Sequence, residues 1–333
     1  MGLVPDFDTL TAAYALTRRS TVRTPLLDSP ALAELTGASR VWVKAENLQK
    51  AGSFKIRGAI WRLAQLSATE RAEGVIAYSS GNFAQGLAAA GKAAGVPVTI
   101  VMPIDAPDLK RCATEAFGAR VILSDHGDRP REEVASALAR DMAAKEGLTL
   151  LHPFDDPAIV AGQAGVALET LEQLSEVGGH VDVVACPVGG GGLIGGLALA
   201  VRHAMPMADI FAVEPEGYDG MGRSCAAGHV TRVASGTPTI CDALQATQPG
   251  AAPFAAAYQA GLRGVTVCDR DVRAALTFAF ERLKLVLEPS GAVALAAALS
   301  GALPVTGRDV LIIASGGNIA LQDFRLLTAP ERD

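Results

Sequence analysis

Short aliphatic and β-branched runs alternate along this chain with longer alanine-rich stretches of helical periodicity. Residues 41–44, 74–78, 98–101, 120–123, 148–151, 181–184, 210–213, 265–267 and 310–313 read as strands, and helical stretches fill most of the gaps. Runs this short with few polar interruptions suit strands covered on both faces. Strand-helix alternation therefore predicts an α/β fold with mostly parallel sheets and flanking helices. No low-complexity linker and no internal repeat beyond the shared strand-helix pattern interrupts it.

Three of these runs lead into unusual segments. The strand at 181–184 is followed by Gly189, Gly190, Gly191 and Gly192 and then by a small-residue helix. Four glycines let backbone N–H groups converge on one anion, and a helix start adds roughly half a positive charge, so this is a candidate phosphate cradle. Two other readings fit the same residues: a turn that only packs helix on strand, and a dinucleotide fingerprint of Gly190, Gly192 and Gly195 with Glu214 following. Residues 74–78 lead into Ser79, Ser80, Gly81 and Asn82, which suit a small carboxylate at a helix start or, more plainly, an ordinary serine cap. Residues 310–313 deliver Ser315 to the end of a buried strand, the edge where ligands collect in a parallel sheet.

Lys55 lies between Phe54 and Ile56, just after the turn-forming pair Gly52 and Ser53. A lysine buried among such neighbours has a lowered amine pKa and suits Schiff-base chemistry, whereas most lysines are solvated surface charges. A partial P-loop at 86–92 reads as helix interior, because Ala93 stands where a magnesium-binding hydroxyl is needed.

The segments around Lys55, Ser79 to Gly86, Gly189 to Gly192 and Ser315 to Asn318, in this order, resemble the serine/threonine dehydratase and serine racemase family of pyridoxal-phosphate enzymes (fold-type II). The resemblance runs from about Thr24 to Asn318 and implies the two-lobed tryptophan-synthase-β-like fold. It implies a discontinuous large lobe at 1–73 and 150–333 and a small mobile lobe at 74–149. It also implies that Lys55 carries pyridoxal 5'-phosphate through a Schiff base, with Phe54 against the cofactor ring. Gly189, Gly190, Gly191 and Gly192 then hold the phosphate, Asn82 the ring hydroxyl and Ser315 the pyridine nitrogen, while Glu288 lines the site. Ser79, Ser80, Gly81 and Asn82 grip the substrate carboxylate, and the freed Lys55 amine takes the Cα proton. A neutral serine at the pyridine nitrogen makes the ring a poorer electron sink, which favours prompt loss of a β-hydroxyl.

The implied activity is β-elimination from a 3-hydroxy-L-amino acid such as L-threonine or L-serine, giving a 2-oxo acid and ammonia. The alternatives are 3-hydroxyaspartate or a 3-arylserine as substrate, serine racemisation with Ser80 returning a proton, and a member that binds without turnover. No single added arginine is assignable to a second carboxylate. Two positions depart from the pattern. Phe83 stands where histidine is usual, and either enlarges an apolar substrate site or repacks the loop. Residues 213–220 resemble the family's divalent-cation loop, but Gly220 replaces its second acid, so no metal is predicted. The chain continues about fifteen residues past Asn318, so a C-terminal regulatory domain is not expected, and a homodimer or homotetramer is.

Composition narrows the remaining classes. The 333 residues carry 29 Lys plus Arg against 35 Asp plus Glu, a net charge of −6 without a basic block, which leaves nucleic acid no footprint. Apolar stretches are broken before reaching membrane-spanning length, and the start lacks a secretion signal. Five scattered cysteines without C-x-x-C spacing fit a reducing cytoplasm, and His126, His152, His180, His203 and His229 make no close zinc-ligand pair.

Overall fold

The computed structural model describes residues 2–129, 131–234 and 236–329. Among the described residues, ten strands form two sheets: β1 (Leu26–Asp28), β2 (Arg40–Ala45), β3 (Val75–Tyr78), β4 (Val98–Pro103), β5 (Arg120–Ser124), β6 (Thr149–Leu150), β7 (Val183–Pro187), β8 (Asp209–Pro215), β9 (Arg263–Val267) and β10 (Asp309–Ala314). The larger sheet has the order β1-β2-β10-β7-β8-β9 and the smaller β5-β4-β3-β6. Every neighbouring pair is parallel except β1 on β2, so the sheets are mostly parallel, as the strand-helix alternation requires.

All nine predicted strands are present, and β1 is additional. The run expected at 181–184 forms two residues later, as Val183–Pro187, and β6 keeps only two residues of its run.

Side-chain alternation explains the layers. In the larger sheet, Trp42, Val184, Cys186, Ile210, Leu311 and Ile313 face a core shared with helices Phe7–Thr17, Gly165–Glu176 and Gly192–Ala204. Their neighbours Val41, Val43, Val183, Phe211, Val310 and Ile312 face the opposite core, against helices Asp269–Phe278 and Pro289–Leu299. Both faces are dry, hence the unbroken apolar runs. The smaller sheet is built alike: Val75, Ala77 and Ile100 pack with helix Asn82–Ala94, while Ile76 and Val101 meet Ala135 and Ala139 of helix Arg131–Glu146.

Candidate active site

Parallel strands align their C-terminal ends, and the chain places its polar segments there. β3 leads into Ser79 to Asn82, β6 into His152 to Phe154, β7 into the four glycines and β10 into Ser315. β2 leads through two short 3-10 turns to Lys55, the first residue of helix Lys55–Ala64. Ser53 forms an isolated bridge with Gly316, and the Phe54 N–H donates to the Ser315 carbonyl at 3.3 Å. These contacts tie the start of the lysine helix to the end of β10.

The Lys55 amine is half-buried, with few partners. Nζ donates to the Pro153 carbonyl at 3.3 Å and lies 5.2 Å from the Phe54 ring centre and 6.0 Å from that of Phe83. Burial pushes the amine down to about 8, and the Glu288 carboxyl opposes that shift. Asn82 donates from Nδ2 to Glu288 Oε1 at 2.5 Å and accepts on Oδ1 from Asn318 Nδ2 at 2.7 Å. Glu288 is 2% exposed, and its Oε2 is buried with no partner. Burial and then Asp242 push this carboxyl up to about 7, against the opposing pull of Lys110, Asn82 and Lys55.

The four glycines meet two demands at once. A Cβ at Gly190 would stand 2.4 Å from the Phe154 ring, so close packing requires glycine there. Gly191, at φ 92°, starts helix Gly192–Ala204 with no side-chain cap. The first N–H groups of that helix therefore lack a capping acceptor and suit an anion. Phe154 follows Pro153, whose carbonyl receives Lys55, so the glycine turn and the lysine meet across two consecutive residues.

The serine loop also leads into an uncapped helix, Asn82–Ala94. Ser79 Oγ accepts from the Gly81 N–H at 3.3 Å, and a Cβ added at Gly81 meets nothing within 4 Å. Ser80 Oγ accepts from Arg131 Nη2 at 3.4 Å. Phe83 is 2% exposed and packs in the smaller sheet's core, while its ring also faces the Lys55 amine.

A half-buried amine of lowered pKa, two open helix starts, one after a strand of each sheet, and an unpartnered carboxyl oxygen fit pyridoxal phosphate. Residues 18–316 match the sequence pattern described as pyridoxal-phosphate dependent enzyme. The chain belongs to that family. It is 38% identical to the L-threo-3-hydroxyaspartate ammonia-lyase of Saccharomyces cerevisiae, over 99% of this chain and 98% of that one. It is 42% identical to the L-threonine ammonia-lyase of Thermotoga maritima, over 89% of this chain and 71% of that one. The solved structure of maize serine racemase superposes with a TM-score of 0.89 at 34% identity, covering 97% of this chain and 96% of the other.

Within this pyridoxal-phosphate fold, several site residues carry no local sequence signal. Arg131, at the start of a helix, reaches Ser80 and pairs with Asp105 at 3.1 Å, so an arginine stands at the serine loop. His152 accepts on Nδ1 from the N–H groups of Phe154 at 3.3 Å and Asp155 at 2.8 Å. The proton of its neutral ring therefore sits on Nε2, 3.0 Å from Tyr78 Oη, and burial lowers the ring's pKa. Position at a strand end, not residue type, is the signal that would have found Pro153 and Phe154.

The Glu214 segment is closed on itself. Its two carboxylate oxygens accept the N–H groups of Met221 and Gly222, each at 2.8 Å, and Asp219 pairs with Arg223 at 2.7 Å. This leaves Glu214 occupied for the ribose contact that a dinucleotide site needs. Burial pushes its carboxyl up to about 8. Among the described residues, the one group spaced for an ion is His180, Asp182 and Asp309, at the start of β10 and thus the opposite end from Ser315. No helix among the described residues is long and apolar enough to cross a membrane.

Proposed function

We propose that this chain is a pyridoxal-phosphate-dependent ammonia-lyase that removes the β-hydroxyl and the amine of a 3-hydroxy-L-amino acid, releasing a 2-oxo acid and ammonia. L-Threonine and L-serine are the leading substrates. The observation that carries this reading is the Lys55 amine, held by the Pro153 carbonyl alone and facing Phe83 at the open helix start that follows the serine loop. The ammonia-lyase relatives support it.

When bound, the cofactor supplies an electron sink for negative charge at the substrate Cα. The residues suited to hold it are Gly189 to Gly192 for the phosphate, Asn82 and Ser315 for polar atoms of the ring, Phe54 for its face and Glu288 beside it. Ser79, Ser80, Gly81 and Asn82 receive the substrate carboxylate. Lys55 takes the Cα proton, which an amine near 8 can do at neutral pH because an appreciable fraction is unprotonated. Ser80 is the group suited to return a proton in a racemisation side reaction. The segment at 74–149, with its own sheet, is the lobe we assign to closure over substrate, and the working form is a homodimer or homotetramer.

Arg131 favours a second reading, in which the substrate carries a β-carboxylate. Its guanidinium already touches Ser80, and an arginine pairs well with a carboxylate. Ammonia and 2-oxo acid release from L-threonine, L-serine and L-threo-3-hydroxyaspartate, by wild type beside Lys55→Ala, tests both. Turnover lost in the variant supports the activity, and a preference for the dicarboxylate supports the second reading. Absence of turnover with all three overturns the proposal.

A further inference from the structure

Four segments far apart in sequence meet at Asn82, and their hydrogen bonds have a direction. The Ala51 carbonyl can only accept, and it takes Asn318 Nδ2 at 2.8 Å. That fixes the Asn318 amide, whose Nδ2 also faces Asn82 Oδ1 at 2.7 Å. Asn82 Oδ1 is then the acceptor, which turns Asn82 Nδ2 to Glu288 Oε1 at 2.5 Å. A flipped amide at either asparagine would set like groups face to face, so each step forces the next.

Two backbone features accommodate this relay. Ala51 has φ 60°, a strained value for a residue with a side chain, and it presents the carbonyl that starts the relay. A Cβ at Gly316 would come 2.1 Å from Glu288 Oε1, so the last step needs glycine there. Since Oε1 already accepts, any proton on this carboxyl belongs on Oε2, the buried atom without a partner.

We infer that Glu288 and Asn318 are positioning residues: with the Ala51 carbonyl they fix Asn82 as a one-way donor to an acceptor oxygen of the bound cofactor, and Glu288 Oε2 holds an exchangeable proton beside it. This rests on the cofactor assignment above. The charged groups facing Glu288 are Lys55 from the lysine helix, Asp242 from the 3-10 turn Asp242–Leu244 and Lys110 from helix Asp108–Ala116; Lys110 and Asp242 pair with each other. The carboxyl's value of about 7 places that proton's exchange near neutral pH.

Asn318→Asp keeps the shape but sets a carboxylate oxygen against the Ala51 carbonyl and Asn82 Oδ1. Its affinity for pyridoxal phosphate, read by titrating the visible band into apoprotein, is expected to fall about tenfold or more, the size of one lost oriented hydrogen bond. Glu288→Gln keeps an acceptor for Asn82 and removes the titration. Its affinity is expected within about threefold of wild type, an effect under a kilocalorie, while the band's pH response around neutrality flattens. Thermal unfolding of each apoprotein controls for a purely structural loss. Unchanged affinity in folded Asn318→Asp, or an unchanged pH response in Glu288→Gln, overturns the inference, and the second decides if the first variant does not fold. Wild type that forms no band overturns the cofactor assignment itself, and the inference with it.

Discussion

Two clusters of buried charge lie a few residues apart in this protein, and they are built on opposite terms. In the first, Arg57 forks onto Glu46 at 2.7 and 2.8 Å and onto Glu169 at 2.9 and 3.2 Å. Lys44 gives its three donors to Glu169, Gln173 and the Thr24 carbonyl at 2.7, 2.7 and 2.9 Å. Two positive and two negative groups cancel, and their partners come from β2, the lysine helix, helix Gly165–Glu176 and the Thr24 segment. In the second cluster, the Lys55 amine has one carbonyl and Glu288 keeps a bare oxygen. Buried charge that is fully answered is scaffold. Buried charge left short of partners keeps polar atoms available for chemistry.

The largest expected effect is on turnover. Lys55→Ala should lower ammonia release by at least about a thousandfold, since nucleophile and base are removed together. Arg57→Ala should leave turnover per folded molecule far less affected but cost roughly 3–5 kcal/mol in denaturant unfolding, because Glu46 and Glu169 lose their shared partner. A result in which Arg57→Ala is stable, or Lys55→Ala is active, breaks the contrast.

Smaller effects sharpen it through pH. The folded Lys55 amine titrates near 8 against 10.5 unfolded, so the unfolded chain binds more protons between those values. Stability of the apoprotein should therefore rise as pH increases from about 8 towards 10.5, and Lys55→Met should gain about 1–3 kcal/mol at neutral pH and lose that slope. Glu288 has the opposite sign. Its carboxyl is raised from 4.5 to about 7, so its contribution is fully present below 4.5 and is lost as pH rises through 7; Glu288→Gln should flatten that window by about 1–3 kcal/mol. The smallest effect concerns Arg131. Arg131→Leu should raise KM for L-threo-3-hydroxyaspartate about tenfold, one lost charge-assisted contact, and leave KM for L-threonine within about twofold.

Much of this was legible in the chain, for local reasons. Strand positions follow from short apolar runs. β1 escaped because Leu26–Asp28 is three residues long and only half-buried, too short to display a period. Lys55, Asn82, the four glycines and Ser315 stand out because each sits in a compact motif. Pro153, Arg131 and Glu169 do not, since their roles come from contacts 98, 51 and 112 positions away in sequence. Phe83 was visible as a departure, but its place between the smaller sheet's core and the Lys55 amine comes from the fold.

Lys44 and Lys55 together permit the most direct test, because one is buried and fully partnered and the other half-buried with a single carbonyl partner. Apoprotein would be loaded with pyridoxal phosphate, reduced with borohydride, digested and mapped by mass spectrometry. A reduced pyridoxyl adduct at Lys55, absent from Lys44, is the predicted result. An adduct at Lys44 or at another lysine, with Lys55 unmodified, would contradict the claim that the under-partnered buried amine is the reactive one.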